Sequence, residues 1–428
     1  MDQPAAAMNE TEKVQQHYNS FPFPKAAEIQ WNPWMLWELN TLAGRWGAKP
    51  IPEDGRILIA GCGTVEAVMW AKSCPQAELY GVDLSSESIA ITRSLIEQLR
   101  LSNVRVEQRS LLELNESDGE FDLISSYGVL HHLKDPREGL SVLRRRLKPD
   151  GVMNLMLYNR RNRYFLREFQ GLVELLCPDD AAESREAMGK SLTFDLLADD
   201  SRLRETQQYA SAQYENDRPY WADACVHPLE HDYNLDELFA LLKNTGMQML
   251  NWRNPRNWHV APWLGSPALK ERFAALPLQS QWEFADRLRM PLFEMLCGRD
   301  EDAAPEFPWL ENDEALLEMV FVNPTIYRLE VKSNIVVGKP STSRGCGFEA
   351  IPGQPDRMKI HTPGGLHLTA HPFFQILINQ LDGQKTLRQA GECAAQQAGV
   401  EFSAIRQTAV GVMRKLLIPH QGLVCSPA

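Results

Sequence analysis

No CxxC pair occurs in this chain. Its eight cysteines stand apart, at 62, 74, 177, 225, 297, 346, 393 and 425. That scatter argues against a zinc cluster or a disulfide framework and makes a reducing, cytoplasmic setting the default. Long apolar runs are also missing. With no stretch of about 18 apolar residues, a membrane-spanning helix is not expected, and the start MDQPAAAMNETEK lacks the basic-then-apolar pattern of a secretory leader. Positive charge is in short supply: 44 Lys and Arg face 56 Asp and Glu, a net of −12. A chain so charged lacks the broad positive field that wrapping nucleic acid requires, though a local basic patch is still allowed. No fixed-period repeat is visible, so a solenoid is not expected.

What is present is an ordinary globular composition, 44% hydrophobic and 23% charged over 428 residues, enough for two or three domains. Residues 1–50 read as an aromatic arm. It contains Tyr18, then Phe21-Pro22-Phe23-Pro24, then Trp31, Trp34 and Trp37. The prolines favour an extended path, and tryptophans three apart would share one helix face. Such a helix would pack on the next domain, or serve as a lid with Tyr18 and a Phe closing a pocket. Residues 51–260 read as the core. Strands are expected at 56–60, 78–82, 104–108, 121–126 and 151–157, alternating with helices at 64–73, 86–100 and 136–147. That alternation predicts an α/β fold, a doubly wound and mostly parallel sheet covered on both faces. A charged helical insertion is expected at about 160–234, with a further helix and strand at 235–252. Beyond the core, 261–340 reads as a helical extension, 341–365 as a Gly/Pro/Ser-rich linker, and 366–428 as a small helical accessory module. The basic and acidic residues of that module, Lys385, Arg388, Arg406, Arg414 and Lys415 against Asp382, Glu392 and Glu401, leave too little positive charge for DNA reading. Partner docking, dimerisation or regulation fits better.

The chemistry is concentrated in Ile57–Thr64, ILIAGCGT. A buried strand runs into Gly-x-Gly and then a helix, so the backbone can turn sharply and a ligand can approach it closely. Asp83 closes the next strand, twenty residues after Gly63. A doubly wound fold places a carboxylate there to accept hydrogen bonds from ribose hydroxyls. Glu66 breaks the full G-x-G-x-x-G pattern, which argues against a nicotinamide-dependent dehydrogenase.

AGCGT, the VDLS of 82–85, the FDLISSYGVLHHL of 121–133 and the LKPDGVM of 147–153 occur in one order. In that order they resemble the class I S-adenosylmethionine-dependent methyltransferases. The resemblance covers about residues 50–160 and the helix and strand near 235–253. It implies a Rossmann-like seven-stranded sheet and S-adenosylmethionine as cofactor. It also implies a cofactor set of Ala60, Gly61, Gly63, Asp83, Leu84, Ser110, Leu111, Leu112, Tyr127 and Gly128. Within that set Gly61 and Gly63 meet the methionine moiety and Asp83 the ribose. Leu111 and Leu112 lie near the adenine, and Tyr127 and Gly128 begin the loop beside the sulfonium. The arm and the VHPLEHDY of 226–233 are similar to a subgroup with an aromatic-Pro arm and a His-Pro segment. Three positions depart from the common pattern: Ile59 where many members carry an acid, Val65 where many carry a third glycine, and Ser110 where many carry Asp.

A sulfonium is already an activated donor, so the protein's task is to align a nucleophile and exclude water. A base is needed only when the nucleophile arrives protonated. His131, His132 and Tyr158 follow the fourth and fifth strands at their carboxyl edge and, with Tyr18, are the catalytic candidates. Each also has a plain packing reading. Phe23, Arg163, His227, Glu230 and His231 are the acceptor-binding candidates. Arg160, Arg161 and Arg163 together would suit an anionic acceptor, or a solvated helix start. His227 and His231 have metal-ligand spacing, but Pro228 between them opposes one helix face, so no metal is expected. The expected reaction is in-line methyl transfer to an O, N or S atom of a small-molecule acceptor. A protein lysine is the alternative acceptor, with the C-terminal module docking the target; that end loosely resembles the regulatory region attached to some bacterial protein-lysine methyltransferases. A non-catalytic subunit that kept the fold is a further alternative. No nucleic-acid or membrane partner is expected, and a homodimer is among the assemblies considered.

Overall fold

A computed structural model describes residues 8–26, 28–45, 49–177, 181–195, 204–260, 263–307, 312–322, 326–332, 335–341, 347–355, 357–361, 367–420 and 424–426. The arm comprises α1 (Glu10–Ser20), β1 (Glu28–Trp31) and α2 (Met35–Ala43). Asn9 and Glu12 form a reciprocal capping box that starts α1, and this satisfies two of its free N–H groups. The core then runs β2 (Arg56–Ala60), α3 (Glu66–Ser73), β3 (Glu78–Asp83), α4 (Ser86–Gln98), β4 (Val104–Gln108), β5 (Phe121–Tyr127), α5 (Pro136–Arg146) and β6 (Leu147–Leu157). The insertion supplies α6 (Arg160–Leu176), α7 (Ala182–Phe194), α8 (Arg204–Asn216) and α9 (Arg218–Cys225). After it come α10 (Leu235–Asn244), β7 (Met247–Trp252), α11 (Pro255–Trp258), α12 (Pro267–Ala274), α13 (Leu278–Arg289) and β8 (Phe293–Arg299).

The seven strands are ordered β4-β3-β2-β5-β6-β8-β7. The first five are parallel, and β8 runs antiparallel between β6 and β7. This is the expected Rossmann-like sheet. Alternation along β2 shows why it holds: Leu58 and Ala60 enter the apolar cluster on one face, Ile57 and Ile59 the cluster on the other, and all four are fully buried. Each such Leu or Ile contributes about 1.5–3 kcal/mol on burial. The chain leaves β2 toward β3 and β4, then returns to β5 on β2's other side. That reversal opens a crevice at the carboxyl ends of β2 and β5. The insertion has an apolar centre of its own around Phe169, Val173, Trp221 and Val226, joined by Phe21 of the arm.

Several elements differ from expectation. Trp31, Trp34 and Trp37 do not share a helix face, because Trp31 ends β1 and only Trp37 lies inside α2. Asn32 breaks the run, accepting the Trp34 N–H on its side-chain oxygen, a local turn that competes with helix. Within the expected helical extension, α12 and α13 are helices but β8 is a sheet strand. A short apolar run such as FEMLCGR reads equally as buried helix or buried strand. The segment expected as linker contains strands. After α14 (Asp313–Leu317), β9 (Val320–Val322) and β10 (Ile326–Lys332), the chain forms β11 (Ile335–Ser341), β12 (Gly347–Ala350), β13 (Met358–His361) and β14 (His367–Ala370). Residues 342–346, 356 and 362–366 of that segment lie outside the described residues. The C-terminal helices α15 (Phe373–Asn379), α16 (Leu387–Ala398) and α17 (Phe402–His420) are accompanied by β15 (Asp382–Thr386) and β16 (Val424–Ser426), both paired with β9. The arm is tied to this region, since β1 pairs antiparallel with β10. No helix among the described residues is long and apolar enough to cross a membrane.

Candidate functional site

A cavity of about 820 Å³ fills the crevice, within the usual 300–1,000 Å³ range of small-ligand sites. One end lies over the glycine turn. Gly61 has φ +83, and a Cβ there would stand 2.3 Å from a Val129 methyl, so only glycine fits. Gly63 has φ +51, and its Cβ would meet the Phe23 carbonyl at 2.6 Å. The arm therefore lies directly on the turn. Thr64 fastens it there, donating its N–H to the Phe23 carbonyl (3.1 Å) and its hydroxyl to that of Pro24. Asp83 accepts the Gly63 N–H and the Ser85 N–H, one on each carboxylate oxygen, both at 2.8 Å. Burial raises its pKa, and the backbone N–H groups offset part of that rise. Each oxygen keeps a second lone pair for a ligand hydroxyl. Leu84, Leu111 and Leu112, with Ser110 among them, form a wall beside it, and Tyr127 and Gly128 also line the cavity. The Ser110 hydroxyl accepts the Leu112 N–H of its own short turn.

The other end is where the arm, β6, α6 and α9 converge. Tyr18 and Tyr158 donate their hydroxyls to the two oxygens of Asp223, at 2.8 and 3.1 Å. Burial and the Asp223 charge push both phenols well above their usual range. His132 Nε2 stands 3.9 Å from Asp223. His132 Nδ1 faces the Leu229 carbonyl at 2.8 Å. A carbonyl can only accept, so Nδ1 carries the proton and Nε2 a lone pair. That nitrogen is buried with no hydrogen-bond partner. Burial lowers the His132 pKa, which keeps the ring neutral.

Fourteen of the sequence candidates line the cavity: Gly61, Gly63, Asp83, Leu84, Ser110, Leu111, Leu112, Tyr127, Gly128, Tyr18, Phe23, His132, Tyr158 and Arg163. Five lie behind its wall. Ala60 is fully buried in β2. His131 stacks on Tyr158 with ring centres 3.9 Å apart. His227 packs on His132 and His17, at 3.8 and 4.6 Å. His231 donates its backbone N–H to the His131 carbonyl. Glu230 is ion-paired with Arg163.

The arginine run is not an open anion clamp. Arg160 meets Asp232 and Glu237, Arg161 meets Asp286, and Arg163 meets Glu230 while lying 4.0 Å over the Tyr158 ring. Burial opposes the charge on Arg163, but Glu230 outweighs it and holds the guanidinium ionised.

Among the described residues, His132, Asp223 and His227 each bring a ligand atom within 4.8 Å of the others. The group is one lone pair short of a metal site. His227 Nδ1 accepts the Leu229 N–H at 3.1 Å, so its Nε2 carries the proton and has no lone pair to give.

Sequence reasoning missed Asp223, Glu66, Tyr209 and Tyr220, all on the cavity wall. Asp223 is one acid among 56, inside an insertion with no motif. Glu66 did carry a signal, a charged residue opening a buried helix directly after the glycine turn.

Residues 58–153 match a family model described as a methyltransferase domain. An uncharacterized protein of Synechococcus is 29% identical over 74% of this chain and 78% of its own length. An uncharacterized methyltransferase of Bacillus subtilis, YcgJ, is 29% identical over 31% of this chain and 52% of its own, so the match spans about half of that relative. Among solved structures, PKMT2 from Rickettsia typhi in complex with AdoHcy superposes with a TM-score of 0.67 over 94% of this chain and 77% of that one. Its identity is 14%, a likeness of fold.

Proposed function

We propose a mode of action for a chain that is, by domain and fold, a class I S-adenosylmethionine-dependent methyltransferase: it methylates a nucleophile that enters carrying a proton, and His132 receives that proton. The single observation behind this reading is the unpartnered Nε2 lone pair of His132 at the acceptor end of the cavity, beside Asp223. The residues present suit the cofactor. Asp83 keeps lone pairs for ribose hydroxyls, and the Leu84, Leu111 and Leu112 wall suits a flat base. Once bound, S-adenosylmethionine supplies the methyl group on a positively charged sulfur, at the Gly61–Gly63 end. Ala60 shapes that end from inside β2.

The acceptor end presents hydrogen-bond acceptors: the His132 lone pair and the remaining lone pairs of Asp223. Only an N–H or O–H group answers them. Tyr18, Phe23, Tyr158, Tyr209 and Tyr220 add aromatic walls that favour a cationic or flat group. Arg163 and Glu230 keep Tyr158 in place, while His131, His227 and His231 back the wall. As the nucleophile gives up its proton to His132 Nε2, Asp223 stabilises the imidazolium from 3.9 Å. The arm, fastened across the glycine turn, excludes water.

A small-molecule amine or hydroxyl compound is the acceptor this enclosed, aromatic cavity favours. One observation favours a protein side chain instead: among the described residues no wall residue lies beyond Leu292, so the sheets and helices after β8 take no part in the cavity and would serve docking. Incubation with methyl-labelled S-adenosylmethionine, a metabolite panel and a cell extract separates the two. Label in a small amine or alcohol supports the first, and label in protein bands the second. Transfer that survives His132→Ala at full rate would overturn the assignment of the base.

A further inference from the structure

Glu66 opens α3 directly after the glycine turn, on the cavity wall beside Gly61, Cys62, Asp83 and Tyr127. Two neutral donors hold one of its oxygens. The Ser125 hydroxyl donates to Oε1 at 2.7 Å and the Trp70 indole N–H at 3.1 Å. Ser125 is steadied in turn by the Asn154 amide at 3.2 Å. With Oε1 doubly held, neither of these bonds falls on Oε2, and Glu66 lines the cavity.

The charges around Glu66 are all of one sign or neutral. Asp83 faces it from β3, Tyr127 and Ser125 from β5, Cys62 from the turn, and Trp70 from its own helix. No cation is among them. Arg253, behind Tyr127, is paired with Glu38 at 2.6 Å. A half-buried carboxylate among neutral groups and a second carboxylate is costly unless a cation joins it. Burial indeed moves the Glu66 pKa up to about 7. Ile59, four positions before Gly63, stands where methyltransferases of this kind often carry an acid, and is itself fully buried and apolar.

We propose that Glu66 receives the ammonium group of the cofactor's amino-acid end and takes the place of the acid missing at Ile59. This rests on the S-adenosylmethionine reading above. Both S-adenosylmethionine and S-adenosylhomocysteine carry that ammonium, whereas 5′-methylthioadenosine, which lacks the amino-acid end, does not.

The experiment is calorimetric binding of these three compounds to the full chain and to Glu66→Gln, which keeps the shape and the Ser125 and Trp70 contacts. A charge-assisted hydrogen bond is lost, so the first two should weaken about 10- to 100-fold, while methylthioadenosine binding stays within about twofold. Wild-type affinity for S-adenosylmethionine should rise between pH 6 and 8 as Glu66 ionises, and the Gln variant should show no such rise. Unchanged binding of the first two compounds overturns the proposal. Loss confined to S-adenosylmethionine overturns it too, since that would place Glu66 at the sulfonium. Equal loss of all three, with methylthioadenosine included, marks a disturbed turn and also overturns it. If the wild type binds none of them, the methyltransferase reading itself fails.

Discussion

Removing Glu230 tests whether the Arg163 pair is architecture or an acceptor contact. The Arg163 side chain is 7% exposed and that of Glu230 is 0%. Gln170 adds a hydrogen bond to Glu230 at 3.1 Å. Glu230→Gln leaves the guanidinium buried without its counter-charge, at a cost of about 3–5 kcal/mol. At about 2–4 °C per kcal/mol for a unit of 150–250 residues, the melting temperature should fall roughly 6–20 °C. Replacing both partners, Arg163→Met with Glu230→Leu, should recover most of that loss, because no charge is then stranded. Scanning calorimetry of wild type, both single variants and the double variant reads this directly. The architectural reading further requires that the double variant keep its acceptor KM within about threefold, because Arg163 acts by holding Tyr158 rather than by holding acceptor. A single variant that melts with wild type while its KM rises tenfold would refute the reasoning and make Arg163 an acceptor-binding residue.

Three further outcomes are expected. Asp83→Ala should weaken S-adenosylmethionine binding about 10- to 100-fold by calorimetry, the loss of hydrogen bonds from a charged acceptor; unaltered affinity would remove Asp83 from the site. His132→Ala should cut kcat about 10²- to 10⁴-fold, the usual share of a general base, with cofactor affinity held within about twofold; a fall in affinity that matches the fall in rate would make it a packing residue. Acid should destabilise the fold through its buried histidines. Burial holds His17 at about 3, against 6.5 when free. The unfolded chain therefore takes up the proton first, and stability present above pH 6.5 is lost as pH falls toward 3. By pH 5 that is about 2 kcal/mol for His17. The drop in melting temperature from pH 7 to 5 should thus be smaller in His17→Gln, and an identical drop would contradict it.

The parts of the fold set by local pattern were readable before any coordinates. β2, β3 and β5 are apolar runs bounded by glycine, proline and charge, β4 alternates Val with charged residues, and all four lie where their pattern places them, whereas β6 starts at Leu147, four residues before the expected Gly151. The glycine turn and Asp83 were legible for the same reason, since strand, turn and helix must follow one another there. β8 was not, because seven residues with an apolar centre, FEMLCGR, carry no period that separates strand from helix, and its partners β6 and β7 lie far off in sequence. The tryptophan stripe misled because spacing of three ignores the Asn32 turn that resets the chain. The acceptor end was half legible. His132 and Tyr158 are fixed by strand ends, but Asp223 reaches them from an insertion whose packing depends on Trp221 and Phe169 meeting Phe21 of the arm. No local rule relates residues 200 positions apart.

The arm's carbonyl contact with the glycine turn couples two events usually considered separately. The Phe23 oxygen that accepts the Thr64 N–H also occupies the space a side chain at Gly63 would need. Tyr18 of the same arm accepts the Ser85 hydroxyl on its carbonyl, and Gln15 donates to the carbonyl of Leu84. Releasing the arm therefore strips contacts from Thr64, Leu84 and Ser85, around the very loops that face the cofactor. Equilibrium then requires reciprocity: whatever factor arm closure adds to the grip on a ligand, the ligand adds to arm closure. Cofactor occupancy and shielding of the acceptor end are two readings of one balance.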